Sequence, residues 1–224
     1  MRLPMTDAAT AASPVLQLQL RLLRAPSGVL LQDFALALPA GAIHTVMGPS
    51  GSGKSSLLAA LCGTLEPGIR FEGKVGVDGM RVDAWPIQRR RIGLLLQDDL
   101  LFAHMTVREN LLFAVPAGPQ AQRTQAVQLA LDEVELLPWA DADPATLSGG
   151  QRARAALARA LLAQPRVLLL DEPFSKLDAP LRQRMRDLVW GAVRRRGVAA
   201  VLVTHDVADM ADAQRLSMLG APQA

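Results

Sequence analysis

Residues 48–55 read Gly-Pro-Ser-Gly-Ser-Gly-Lys-Ser, a G-x-x-x-x-G-K-S run. Gly48, Gly51 and Gly53 free the backbone to turn its N–H groups inward, and a helix start just beyond adds the positive end of its dipole. Such a loop suits phosphate oxygens. Lys54 is then placed to reach the β- and γ-phosphates of a nucleotide and the Ser55 hydroxyl to ligate Mg²⁺. Pro49, Ser50, Ser52 and Ser56 complete the candidate cradle. A second group is Val167-Leu-Leu-Leu-Asp171-Glu172, four apolar residues ending in two acids. A strand of this kind brings Asp171 to its C-terminal edge, where the carboxylate can hold Mg²⁺ directly or through water. Glu172 is placed to polarise an attacking water. The third group is Leu147-Ser148-Gly149-Gly150-Gln151, at the start of a helical stretch. Ser148 and the N–H groups of Gly149 and Gly150 make a second anion site on a helix N-terminus. Locally, a serine N-cap with a Gly-Gly turn reads the same way.

To present these groups together, the chain needs strands that end at one edge. Residues 15–23 alternate Leu16, Leu18 and Leu20 against Gln17, Gln19 and Arg21, the period of a half-exposed strand. A Pro-Ser-Gly turn at 26–28 precedes a second strand at 34–38. Residues 43–47 form an apolar run ending at Gly48, and 55–65 read as a helix. Residues 71–82 read as a hairpin around Asp78-Gly79, and 92–96 as a buried strand. From about 106 to 144 the chain is mainly helical, punctuated by Pro116, Pro119 and Pro138, and a further helix over 151–163 is closed by Pro165. The runs 167–170 and 198–203 are almost continuously apolar, as parallel strands covered on both faces are. A helix over 180–195 separates them. The predicted fold class is α/β, with an antiparallel β lobe near the start and a helical subdomain at about 98–154. One domain spans 15–220, after a loose N-terminal stretch, 1–14.

Composition narrows the function classes. Half of the 224 residues are hydrophobic and a fifth are charged, which excludes an intrinsically disordered chain. A net charge of +3 does not require a nucleic-acid partner. The runs Arg89–Arg91 and Arg194–Arg196 are expected to be solvated faces, and neither is interleaved with aromatics as a single-strand binder would be. No nucleic acid is expected. Cys62 is the only cysteine, which rules out an internal disulfide, fits a reducing compartment and reads as a small buried side chain. No stretch approaches the roughly 20 apolar residues that span a bilayer, and the N-terminus lacks the apolar core of a signal peptide. A cytoplasmic protein, attached to the membrane only through a partner, is the expectation.

A phosphate loop alone leaves kinases, GTPases and many ATPases open. Ser148-Gly149-Gly150-Gln151, shortly before Asp171 and in this motif order, resembles the signature of the ABC (ATP-binding cassette) ATPases. The likeness covers about residues 15–218. It implies a P-loop NTPase (RecA-like) core, with the signature in a helical subdomain. It also implies ATP and Mg²⁺ as ligands and a head-to-tail homodimer, in which the signature of one subunit closes on the ATP held by the phosphate loop of the other. By the same resemblance Gln97 senses Mg²⁺ and water and begins a segment, 98–110, that touches a membrane subunit. His205 contacts the γ-phosphate, and Asp178, in Ser175-Lys176-Leu177-Asp178, couples the two sites across the dimer. Lys176 stands where the family commonly has a small residue. His44 and His104 read as ordinary strand and loop residues.

Within the family the chain is similar to subunits of binding-protein-dependent importers. That implies two integral membrane permease subunits, a substrate-binding protein, and a place on the cytoplasmic face of the inner membrane. Many ATPases of this group carry a C-terminal regulatory β domain. The sequence runs about 19 residues past His205, so regulation through that domain is not expected. An export or lipoprotein-release motor is the nearest alternative. Soluble ABC ATPases of DNA repair or the ribosome carry coiled-coil insertions or paired cassettes that this chain lacks. One departure stands out. The family stacks adenine on an aromatic residue ahead of the phosphate loop, but this chain has no tyrosine and residues 22–25 hold no aromatic. Arg24 could stack by its guanidinium plane, or Leu22 and Leu23 could pack on the base. Weak base selectivity is expected, with GTP hydrolysed within a few-fold of ATP; a strong ATP preference in a side-by-side assay refutes it.

Overall fold

The computed structural model describes residues 13–96 and 98–220. Most of the expected N-terminal stretch 1–14, and Gln97, lie outside the described residues. Two sheets form. The first is antiparallel and holds β1 (Leu16–Ala25), β2 (Gly28–Leu38), β4 (Arg70–Val77) and β5 (Met80–Arg81), in the order β2-β1-β4-β5. The second is parallel and holds β3 (Ile43–Met47), β6 (Ile92–Leu95), β7 (Val167–Asp171), β8 (Ala199–Val203) and β9 (Leu216–Met218), in the order β6-β7-β8-β3-β9.

The apolar patterns decide where each layer goes. β1 buries Leu16, Leu18, Leu20 and Leu23 and exposes Gln17, Gln19 and Arg21. β7 and β8 are buried at every position, so they have a core on each face. On one face Val167, Leu169, Val201 and Val203 meet helix α1 (Lys54–Cys62), which is itself covered by the leucines of β1. On the other, Leu168, Leu170, Ala200 and Leu202 pack on α4 (Gly149–Leu162) and α5 (Ala179–Arg196). A third cluster joins α2 (Val107–Ala114) and α3 (Gln120–Glu133) to the far side of α4. Helix α4 is thus shared. It gives Ala156, Leu157 and Leu161 to the sheet and Ala155, Ala158 and Leu162 to the helical cluster. Cys62 is buried in the core beneath β1.

Several expectations need correction. The strand at 92–96 is buried only at Leu95: β6 is the edge of its sheet, with Ile92, Gly93 and Leu94 half-covered and Leu96 exposed. β2 starts at Gly28 rather than 34, because it pairs with β1 from the turn onward. Helix α4 starts at Gly149, two residues early, since Ser148 caps it. Arg90 is not solvated. Its buried guanidinium donates to the carbonyls of Leu61, Trp85 and Asp83 and lies where a Cβ on Gly63 would stand, 2.5 Å from its Cζ. The arginine therefore closes the C-terminus of α1, where a cation also suits the helix dipole. The sequence does not predict strand β9: Leu216, Ser217 and Met218, paired with β3 at the sheet edge, are too few to give a periodic signal.

Candidate functional site

Parallel pairing puts the chemistry on one edge. Val46 of β3 and Asp171 of β7 both pair with Val203 of β8. The segments that leave these three strands therefore emerge together: the phosphate loop after β3, Glu172 after β7, and Thr204-His205 after β8. Ligand sites of open α/β sheets form at this carboxyl edge.

The phosphate loop is shaped by close approach. A Cβ on Gly48 would lie 2.8 Å from the Leu219 carbonyl oxygen and 2.8 Å from Ser52 Oγ. Leu219 belongs to the segment that hydrogen-bonds β3, its N–H donating to Met47 O at 2.7 Å. Gly53 has φ +88°, a left-handed conformation that side chains resist, and directly precedes α1. Lys54 Nζ donates to the carbonyls of Gly48 and Pro49, at 2.8 Å each, so its ammonium lies against the loop's first residues. Ser55 and Ser56 follow in the first turn of α1, while Ser50 and Gly51 are exposed.

Asp171 ends β7 and is 9% exposed. Burial pushes its carboxyl above the usual range, against a hydrogen bond from the Ser55 hydroxyl. These hard oxygens fit Mg²⁺, which takes one or two protein ligands and completes its octahedron with phosphates and waters. No three His, Cys, Asp or Glu side chains gather into a metal cluster among the described residues, so phosphate oxygens would have to supply the rest. Glu172 has φ +49°, uncommon for a residue with a Cβ. Its N–H donates to Val203 O at 2.9 Å, and its carbonyl accepts the Ser175 hydroxyl at 2.8 Å. The carboxylate faces His205, whose Nδ1 lies 2.9 and 2.8 Å from its two oxygens. That carboxylate holds the imidazole above its ordinary range.

The signature residues lie on a different element. Ser148 Oγ accepts the Gln151 N–H at 3.3 Å, and Gln151 Oε1 accepts the Ser148 N–H at 2.8 Å, a reciprocal cap on α4. It leaves the N–H groups of Gly149 and Gly150 in a first turn that no helix can satisfy internally. Gly150 is packed tightly: a Cβ there would meet Leu181 Cδ2 at 2.6 Å. Asp178 caps α5, accepting the Leu181 N–H at 2.9 Å. Lys176 pairs with Asp98 at 2.9 Å. The segment after residue 97 is fastened to α4 by Arg159, which donates to the carbonyls of Leu100 and Asp99, and by the Arg152–Asp99 pair. Between this segment and α4 runs a cleft lined by Leu94, Phe102, Phe113 and Arg159. Of the residues considered for the base, Leu23 is wholly buried in the core and is excluded; Arg24 is exposed and Leu22 half-covered.

Residues that the sequence reading passed over are Arg182, Arg186, Asp206 and Asp209, which bind α5 to the loop beyond His205. Nothing in their spacing signals it, because the two partners lie more than 20 residues apart on different elements. His44 donates or accepts at Ser217 Oγ, 2.9 Å away, inside the parallel sheet.

A family model described as ABC transporter matches residues 31–175. The chain is 46% identical over 198 residues to the ABC transporter ATP-binding protein YnjD of Escherichia coli (strain K12), covering 88% of this chain and 91% of that one. It is 38% identical to the Fe(3+) ions import ATP-binding protein FbpC 1 of Pectobacterium atrosepticum, over 88% of this chain but 58% of the relative, so it spans little more than half of that protein's length. Among solved structures it is similar to the dimeric post-hydrolysis state of the ATP-binding cassette MJ0796 bound to ADP and Pi. That match has a TM-score of 0.78 at 27% identity and covers 93% and 97% of the two chains.

Proposed function

Because the chain belongs to the ABC transporter family, as a cassette that binds and hydrolyses ATP, we propose that it is the motor of a bacterial importer. It works as a homodimer on the cytoplasmic face of the membrane, against two permease subunits served by a solute-binding protein. The hydrolytic part rests on one observation above all: Glu172 and His205 meet at 2.8 Å on the sheet edge that also carries the phosphate loop. The import part is supported by the likeness to an iron-import subunit. No described helix is long and apolar enough to cross a membrane.

In this reading Lys54 leaves its loop carbonyls for the β- and γ-phosphates, and the N–H groups of 48–55 cradle the remaining oxygens. Ser55 and Asp171, with Gln97, would hold Mg²⁺, which when bound would neutralise charge on the phosphate oxygens. Glu172 orients the attacking water and takes its proton. His205 steadies the γ-phosphate. Ser148, Gly149, Gly150 and Gln151 of the second copy close over the same phosphate, with Asp178 at the seam. The cleft at Leu94, Phe102 and Phe113 receives the permease, whose apolar side chains would cover Phe113, an exposed aromatic.

The test is a mild-detergent pull-down of the tagged protein from its own cells. Two integral membrane subunits with a periplasmic or lipid-anchored binding protein are expected. Membrane subunits without a binding protein would point to export, and soluble partners alone would overturn the transport reading.

A further inference from the structure

Among the described residues His205 is held at its ring by Glu172 alone, and its side chain is 71% exposed. What aims it must therefore be the backbone of its loop, and that loop is fastened almost entirely to α5. The Thr204 hydroxyl accepts the Asp206 N–H at 3.1 Å and donates to Asp209 Oδ2 at 3.0 Å. Asp206 Oδ1 accepts the Ala208 N–H at 2.9 Å, and its Oδ2 accepts Arg182 Nη1 at 2.5 Å. One turn further along α5, Arg186 donates to the Ala208 carbonyl and pairs with Asp209. Arg182 itself lies in the first turn of α5, its N–H donating to the carbonyl of the capping residue Asp178 at 2.8 Å. The circuit closes on the other side, where Ser175 donates its hydroxyl to the Glu172 carbonyl.

We infer that Arg182 is a positioning residue for His205: it ties the first turn of α5, and through it the Ser175–Asp178 loop, to the loop that aims the imidazole. Glu172, Ser175, Asp178, Arg182, Asp206 and His205 form one closed ring of covalent and hydrogen-bonded links. Any shift of the Ser175–Asp178 loop, such as a second copy would impose, is thereby delivered to His205 through a short, charge-assisted bond rather than through the sheet. Asp206 acts as the pivot, since one carboxylate both caps the short turn Val207–Asp209 and receives Arg182. The inference rests on the role proposed for His205.

The experiment compares steady-state ATP hydrolysis of the full chain with that of Arg182→Gln, Arg182→Lys, His205→Ala and the double variant Arg182→Gln/His205→Ala. Rates are scaled to nucleotide-binding sites counted with a fluorescent ATP analogue. Arg182→Gln is expected to lower kcat on the order of tenfold, about 1.4 kcal/mol of barrier, with KM within about twofold. Arg182→Lys, which keeps the charge, is expected to recover most of the loss. In the His205→Ala background, Arg182→Gln is expected to cost nothing further, because its effect runs through the missing imidazole. An equal loss in both backgrounds, an unchanged kcat in the single variant, or a fall that tracks only the count of folded sites overturns the inference. A His205→Ala chain with full activity would instead remove the proposed role of His205 itself.

Discussion

Glu172 combines a left-handed backbone with a carboxylate that meets the His205 ring. Backbone strain of this kind persists where surroundings over-determine it, and here Val203 O and the Ser175 hydroxyl do so from either side. Replacing Glu172 with Gln keeps the shape and removes the base; hydrolysis is expected to fall roughly 10²–10⁴-fold with ATP binding intact, read by turnover and by equilibrium nucleotide binding. The same variant reports on His205. Its ring is expected to titrate above the ordinary value of about 6.5 in the parent chain and to fall back toward it in Glu172→Gln, as followed by NMR. A histidine so raised stabilises the fold fully below that ordinary value and loses its contribution as pH climbs through the raised one. Asp171, whose carboxyl is also raised, moves stability with pH in the same direction, but as a penalty at neutral pH. Burial favours its neutral form, so the ionised carboxylate opposes folding, and that penalty fades as pH falls through the raised value and is gone below the ordinary carboxylate range. Asp171→Asn is therefore expected to raise the melting temperature of the nucleotide-free chain, by roughly 2–4 °C if the gain is about 1 kcal/mol, while abolishing Mg²⁺-dependent hydrolysis. A lower melting temperature would contradict this account of Asp171.

At the scale of elements, Arg90 holds α1 to the hairpin lobe. Its guanidinium serves three carbonyls at once, with Gly63 making the room. Arg90→Ala leaves the three carbonyls without their donor, and the buried one, Leu61 O, costs about 1–3 kcal/mol when unpaired. A loss of that order is expected in denaturant unfolding, with weakened nucleotide binding because α1 carries Lys54 and Ser55. Elements of this kind also show what a sequence can and cannot reveal. The strands β7 and β8 were legible because burial on both faces writes an almost unbroken apolar run, and the phosphate loop after β3 because glycines are required where backbone approaches backbone. The exposure of β6 was not, since an edge strand and a central one share the same apolar residues. Arg90 read as one of three equal arginines in Arg89–Arg91; only the carbonyls of Leu61, Asp83 and Trp85, brought to it by the fold, distinguish it. The ring through Arg182 and Asp206 was hidden for the same reason, as tertiary hydrogen bonds leave no period in the chain.

The proposed function needs two phosphate-binding ends, and the fold sets the candidates on different elements, the loop after β3 and the capped start of α4. With Glu172→Gln and ATP the chain is expected to elute as a dimer in size-exclusion chromatography, and adding Ser148→Arg is expected to return it to a monomer. A dimer that survives that second change would sink the sandwich arrangement. Strand order has a separate consequence, felt while the protein is being made. β3, which carries the phosphate loop, has its two neighbours in β8 and β9, near the other end of the chain. A growing polypeptide exposes residues 43–55 early and cannot seat them until residue 218 has been added. At about 5–20 residues per second that interval is on the order of 10–30 s. During it the nascent chain has a glycine loop with no sheet behind it and β3 with neither edge paired. Nucleotide capture is thus a late event of translation, and a ribosome that stalls before β8 releases a product with every phosphate-loop residue present and no cradle for them to form.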